Sequence, residues 1–297
     1  MRISTSQFQL ESVRRMLDQE SRLSQIQQKI STGRKILSPS DDPSGSARIL
    51  DLKQVIDINE QYKRNADVLE SRLAAQDVTL TGFIDAYQRV RELAVQGLND
   101  PIGQDNRDAI ATEIREQLSQ LVSLASRKDG NGEYLFSGFQ GETSPVIDAG
   151  SGSYTYAGDQ GQRKIVIGPN RSIEDSDNGF DLFFNVDNTT ENAFSAVYNL
   201  ATSLESGTQS GTNLADIDAV MDNISNFRSK TGARLNSIEH QNTVNEGVVV
   251  QSKELLSDIE DLDLAEAITE LNLRRTGLEA AQQSYVRVQG LSLFNFL

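Results

Sequence analysis

The chain has 297 residues, 37% of them hydrophobic, which is enough for two or three domains or for one elongated body with packed cores. Cysteine is absent and His240 is the single histidine, so disulfides, thiolate metal sites and thiol nucleophiles are excluded and little remains for imidazole chemistry. A formal net charge of −15 argues against nucleic acid or an anionic membrane as partner, because phosphate binding relies on dense Lys and Arg.

The charge is uneven. Residues 1–35 hold seven basic side chains against Glu11, Asp18 and Glu20, whereas Glu254 to Glu270 holds seven acidic ones and no basic one, so the two ends can attract each other. The first thirty residues lack the apolar core of a cleaved signal, and no stretch approaches the ~20 apolar residues of a membrane helix. Neither signal cleavage nor membrane insertion is expected.

From Ser4 to Thr32 the spacing predicts a helix with two thin apolar stripes. Leu10, Val13 and Leu17 form one, and Met16, Leu23, Ile26 and Ile30 the other. So sparse a seam cannot make an independent core, and the helix is expected to order against a partner. Gly33 ends it. Pro39, Pro43 and Gly45 then mark a turn in which Asp41, Asp42 and Ser44 are placed to cap the next helix, near Ala47; capping, not acid–base chemistry, is the reading for this carboxylate pair.

Steps of three and four from Leu52 through Val55, Asn59, Tyr62, Ala66, Leu69, Leu73, Gln76, Leu80, Phe83, Tyr87 and Val90 to Ala94 trace an unbroken heptad stripe. A rod of this kind must bury its seam against other helices. After a turn at Gly97 to Gly103, with Asp105 as cap, Ala111, Ile114, Leu118, Leu121 and Ala125 predict a helix folding back antiparallel. Composition changes at Asp129: twelve of the 21 glycines lie between Gly130 and Gly211. Strands are expected at Tyr134 to Phe136, Tyr154 to Ala157, Lys164 to Ile167 and Phe180 to Val186. One helix with Phe194, Val197, Tyr198, Ala201 and Leu204 on a single face, following Thr189 and Thr190, is expected to cover them as a small sheet. The aromatic residues Tyr154 and Tyr156 leave open a sugar or surface-recognition role, though strand packing accounts for them.

A second long seam follows, through Ile217, Val220, Ile224, Phe227, Thr231, Arg234, Ile238, Gln241, Asn245, Val248, Ser252, Leu255, Ile259 and Leu262. It is the expected partner of the first. Asp263 and Glu266 have the spacing of a capping pair that opens a last helix carrying Leu271, Leu278 and Tyr285, and the chain ends on Leu291, Leu293, Phe294, Phe296 and Leu297. That apolar terminus is expected to dock on a neighbouring subunit.

The fold class read from these patterns is mainly α: an elongated antiparallel helical bundle or coiled coil built from N- and C-terminal parts, with a β-rich inserted domain. The expected divisions are terminal arms 1–46 with 263–297, a long bundle 47–129 with 212–262, and an insert 130–211. The seam residues taken to hold the bundle are Leu69, Leu73, Leu80, Phe83, Ile224, Phe227, Ile238, Leu255 and Ile259. No triad, metal cluster or phosphate loop can be assembled from the residue types at useful spacing, so neither an enzyme nor a cofactor is expected.

Ile30, Ser31, Thr32, Gly33 and Arg34, then Asp41, Asp42, Pro43, Ser44 and Gly45, resemble the N-terminal signature of bacterial flagellins and their hook-associated relatives. Arg91 to Gln96, Asn99, Asn106, Arg107 and the C-terminal Asp258, Asp261, Asp263, Ala265 and Glu266 are similar to that family too, so the resemblance spans roughly the first 130 and last 85 residues. Tyr134 to Gly138 resembles its hook–filament junction members more than its filament flagellins. The resemblance implies a structural subunit exported unfolded by the flagellar type III apparatus into the extracellular flagellum. It implies assembly with itself in a ring, hook-associated protein 1 on the hook side, flagellin on the filament side, and an export chaperone. The terminal arms would fold against neighbours as an inner tube, with the bundle as the next layer and the insert outermost. Filament flagellin, and a cytoplasmic coiled-coil scaffold with a ligand-binding insert, stand as the alternatives.

Overall fold

The computed structural model describes residues 2–99, 102–189, 191–208 and 212–294, and the side chains of these except 2–6, 8, 212, 213 and 288–294. In chain order it contains α1 (Arg2–Thr32), α2 (Pro43–Gly97), α3 (Gln104–Ala125), β1 (Val146–Asp148), β2 (Tyr154–Tyr156), β3 (Lys164–Gly168), β4 (Arg171–Glu174), a π-helical turn (Phe180–Phe184), α4 (Ala193–Ser206), α5 (Thr212–Glu260) and α6 (Leu264–Phe294). Along the sequence, helical segments flank a middle segment whose strands are short, as the composition change at Asp129 predicts. The chain divides into two compact units, Met1–Ile58 with Val248–Leu297 and Asn59–Gly247. The division falls within both long helices, where the sequence reading set no boundary.

In the unit Asn59–Gly247, α2 and α5 run antiparallel, as their ion pairs show: Lys63 Nζ to Glu246 at 2.6 Å, Asp77 to Arg228 at 3.1 Å and Arg91 to Asp218 at 2.6 Å. The main core is built from Leu80, Phe83, Tyr87 and Val90 of α2, Ile114, Leu118 and Leu121 of α3, Phe194, Val197 and Leu204 of α4 and Ile217, Val220, Ile224 and Phe227 of α5. Phe183 sits at its centre, its ring centroid 4.8 Å from Phe83 and 5.4 Å from both Phe136 and Phe194. A smaller core of Ala66, Leu69, Leu73, Ile167, Ile173 and Ile238 lies under the β3–β4 hairpin.

Several local expectations are corrected. The run Phe180 to Val186 is not a strand but a π-helical turn, because alternate-face burial fails when Leu182 and Phe183 are both drawn into the core. Tyr134 to Phe136 makes a single bridge from Tyr134 to Lys128 instead of a strand. The strands form two separate antiparallel hairpins, β1–β2 and β3–β4, and α4 packs its apolar face on the helical core, not across a sheet. Asp105 lies in the first turn of α3 but Gly103 occupies the cap position, and Asn192 caps α4 through Ser195 N–H at 2.8 Å.

The seam of α5 also drifts. Leu255 is exposed and so is Val248, whereas Ser252 is buried and Val249, Leu256 and Ile259 are half-buried. A heptad stripe on a straight helix slips ~20° per repeat, or roughly 80° over the four repeats from Ile217 to Asn245. That approaches the ~100° between neighbouring residues, so the buried face moves forward by one position. On α2, Ile56 is buried and Val55 exposed.

A buried ionic network that no spacing argument foresaw ties the middle segment to the two long helices of this unit. Arg72 of α2 reaches Asp129 at 2.9 Å and Glu133 at 2.8 Å, with Asp175 at 3.6 Å; Arg163 holds Asp175 at 2.6 Å. Arg234 of α5 reaches Asp177 and Glu174, both at 2.7 Å, and Asp177 also accepts from Gln76 and from Thr231 at 3.2 Å. The hydrogen bond from Arg72, helped by the charge of Arg163, holds the Glu133 carboxyl below the usual carboxylate range despite partial burial. A lowered carboxylate contributes stability that is complete above its unfolded value, ~4.3 for Glu, and is lost as pH falls through the folded value. Urea unfolding followed between pH 7 and pH 3 is expected to lose stability at the acidic end of that range, and Glu133→Gln is expected to make the loss shallower; equal slopes would remove Glu133 from the effect.

Candidate assembly interface

In the unit formed by the two ends of the chain, α1 and α2 are joined by a turn at residues 33–42 that holds much of the family-like motif. Gly33 has φ +70°, left-handed backbone that terminates α1, and its carbonyl accepts from Leu262 N–H at 3.0 Å. Lys35 N–H donates to Glu260 O at 2.7 Å, so the chain after α1 pairs with the α5–α6 junction through an Arg34–Asp261 bridge. Arg34 Nε and Lys53 Nζ both reach Glu260 Oε1, at 2.9 and 3.0 Å, and Glu260 is largely buried. The basic N-terminal and acidic C-terminal segments meet at this carboxylate.

Asp41 Oδ2 accepts from Leu37 N–H and Ser38 N–H at 3.1 and 3.0 Å. Asp42 Oδ1 accepts from Ser44 N–H and Gly45 N–H, both at 3.0 Å, which makes it the cap of α2 with Pro43 at the first helical position. These backbone donors, Ser38 first for Asp41 and Gly45 first for Asp42, hold both carboxyls below the usual range. Gly45 has no room for a side chain, since a Cβ there would lie 2.5 Å from Asp42 Oδ2 and 2.6 Å from Ile36 Cδ1.

The helices α1 and α6 lie antiparallel, with Gly33 beside Leu262 at one end and Met16 beside Tyr285 further along. The stripe that α1 turns to α6 is Met16, Leu23, Ile26 and Ile30, and Ile26 is buried. On α6 the facing residues are Ala267, Leu271, Leu278 and Tyr285. The other α1 stripe is open: Leu10 is 61% exposed, Val13 37% and Leu17 57%. Spacing identified both stripes but could not say which one meets α6.

The two flanks of the pair differ. On one, Val13, Met16 and Leu17 of α1 with Leu278, Tyr285 and Val286 of α6 line an apolar groove of about 320 Å³. The other is a mixed groove of about 430 Å³ lined by polar residues such as Arg15, Asp18 and Arg22 together with Met16, Ala281 and Tyr285. Leu291, Leu293 and Phe294 lie in α6 beyond the described side chains, and Phe296 and Leu297 lie outside the described residues.

Residues 3–141 match the model of the bacterial flagellin N-terminal helical region, and residues 214–297 match that of the C-terminal helical region. The chain belongs to the bacterial flagellin family. Among curated relatives, this flagellin-family chain is 26% identical over 318 residues to flagellar hook-associated protein 3 of Escherichia coli (strain K12) and 24% identical over 320 residues to that of Salmonella typhimurium (strain LT2). Each alignment covers 99% of both chains. A flagellin from Listeria innocua is 22% identical over 91% of this chain and 90% of its own. Its fold is that of two solved structures. A putative flagellar hook-associated protein from Vibrio parahaemolyticus has a TM-score of 0.67 at 21% identity, over 74% of this chain and 100% of that one. The flagellar junction protein from Legionella pneumophila has a TM-score of 0.63 at 20% identity, over 72% and 99%.

Proposed function

We propose that this chain is a structural subunit of the bacterial flagellum that joins hook to filament, and that its terminal arms, 1–46 and 263–297, make the contacts between subunits. The observation that carries the reading is the open apolar stripe Leu10, Val13 and Leu17, continuous with the groove toward Val286, on a helix that packs its other stripe against α6. A patch of this kind is costly to leave in water and gains roughly 1.5–3 kcal/mol per large side chain when a neighbour covers it. Identity of 26% and 24% over 99% of both chains to hook-associated protein 3, against 22% over 91% of this chain to the Listeria flagellin, supports the junction in place of the filament. The partners that follow are further copies in a ring, hook-associated protein 1 on one side and flagellin on the other, with an export chaperone before assembly. Export to the extracellular flagellum and a purely structural, non-enzymatic role complete the proposal.

Adding the purified protein to isolated hooks tests this. A junction subunit caps hooks and then permits flagellin to polymerise on them, while forming no long filaments alone. Long filaments from the pure protein would make it a filament flagellin instead.

A further inference from the structure

The middle segment contains a cleft unrelated to the terminal arms. It is an open depression between the β1–β2 turn, the π-helical turn and the start of α4, with a volume of about 670 Å³, against roughly 300–1,000 Å³ for small-molecule sites. Its floor follows from the π-helical turn. Bonding from Asn185 N–H to Phe180 O at 2.9 Å widens the turn, so Phe180, Phe184 and Asn185 share its outer face while Leu182 and Phe183 enter the core. Phe180 and Phe184 are half-buried in the cleft, backed by the Tyr156 ring at 5.9 and 5.7 Å. Tyr156 is itself fixed, its hydroxyl 2.8 Å from the carbonyl oxygens of Phe136 and Asp159.

The wall opposite is a turn held in an uncommon conformation. Gly150, Ser151 and Gly152 have φ of 85°, 56° and 80°, and Ser195 Oγ donates to Gly152 O at 2.8 Å. A Cβ on Gly152 would collide with the Tyr198 ring at 2.1 Å. The rim carries Asn185, Thr189, Glu191 and Asn199, with Asn199 Nδ2 donating to Glu191 Oε2.

The lining contains no Lys or Arg, and Glu191 repels phosphate and carboxylate ligands. A purely apolar guest would strip water from the amides and hydroxyls without replacing it. A cation would find one carboxylate, already engaged by Asn199. What remains is a neutral, hydroxyl-rich ring with an apolar face: C–H groups against the aromatic side chains of Phe180 and Phe184, hydroxyls toward amides that donate and accept and a carboxylate that accepts. We propose that this cleft binds a neutral saccharide, stacked on Phe180 and Phe184 and hydrogen-bonded by Asn185, Asn199 and Glu191.

Saturation-transfer NMR and calorimetry on the full chain, with glucose, galactose, N-acetylglucosamine and maltose as probes and glucose 6-phosphate as the charged counterpart, test it. At least one neutral sugar is expected to bind, the sugar phosphate to bind less well than glucose, and Phe184→Ala to weaken binding by roughly tenfold or more. Glu191→Gln, which keeps shape and leaves the aromatic floor intact, is expected to weaken it as well and decides the matter if Phe184→Ala fails to fold. Absence of binding by every neutral probe at millimolar concentration, or binding unchanged in both variants, would overturn the proposal. So would preference for the phosphate.

Discussion

Replacing Leu10, Val13 and Leu17 together by serine is expected to leave the free subunit's unfolding free energy within ~0.5 kcal/mol of the parent, as for exposed positions generally, while abolishing incorporation into flagella. Leu10 and Leu17 are more than half exposed in the free chain and Val13, at 37%, lies at the edge of the groove with α6, so truncating them removes little packing there. In an assembly that covers them, the lost burial amounts to roughly 1.5–3 kcal/mol per residue, and at 1.4 kcal/mol per factor of ten three such losses weaken the contact by at least about a thousandfold. Ile26→Ala is the informative contrast. Ile26 is buried in the stripe facing α6, and its truncation is expected to destabilise the free subunit by about 2–5 kcal/mol. Denaturant unfolding and an incorporation assay on the same proteins separate the two stripes. Equal stability losses from both variants would mean that the outer stripe is already covered in the monomer.

Arg72→Met is expected to produce the largest stability loss in the unit Asn59–Gly247, about 3–5 kcal/mol, with little direct effect on the outer stripe of α1. Arg72 is 7% exposed and Asp129, which it pairs at 2.9 Å, is 6% exposed. Methionine keeps the apolar stem and removes the charge, leaving Asp129 with only the backbone N–H groups of Asn131 and Glu133, at 2.8 and 3.0 Å. Asp175 fares better because Arg163 still holds it at 2.6 Å, so Arg163→Met alone should cost less. Urea unfolding of both variants checks the order. A loss below ~1 kcal/mol for Arg72→Met would mean that water enters and solvates Asp129, making the pair equivalent to a surface one.

The helical architecture was legible because long heptad stripes, such as Leu69 to Ala94, have a spacing that almost nothing but a buried helix seam produces. Its failures are physical as well. Leu255 was misplaced because a 3.5-residue stripe drifts on a helix of 3.6 residues per turn. Phe180 to Phe184 looked like a strand because aromatic residues favour strands locally, and the core's demand for Leu182 and Phe183 on one side overrode that preference. The Arg72 and Arg234 networks join residues 57 to 61 positions apart, a relation no periodicity encodes. One signal was present: Gln76, Thr231 and Arg234 are among the polar residues that interrupt the two seams, and Asp177 is what these three share. At the assembly surface, the two stripes of α1 were both visible, but their roles depend on which one α6 covers, which is a property of the fold.

The absence of native cysteine makes the central claim directly measurable. In Leu17→Cys, the new thiol is the only one in the chain, on the open stripe of α1. Its labelling by a maleimide, counted against total labelling after unfolding, can be compared between the free subunit and assembled flagella. The account predicts rapid labelling of the free subunit and protection in the assembled state. Equal labelling in both would show that this stripe stays in water after assembly, and would contradict it.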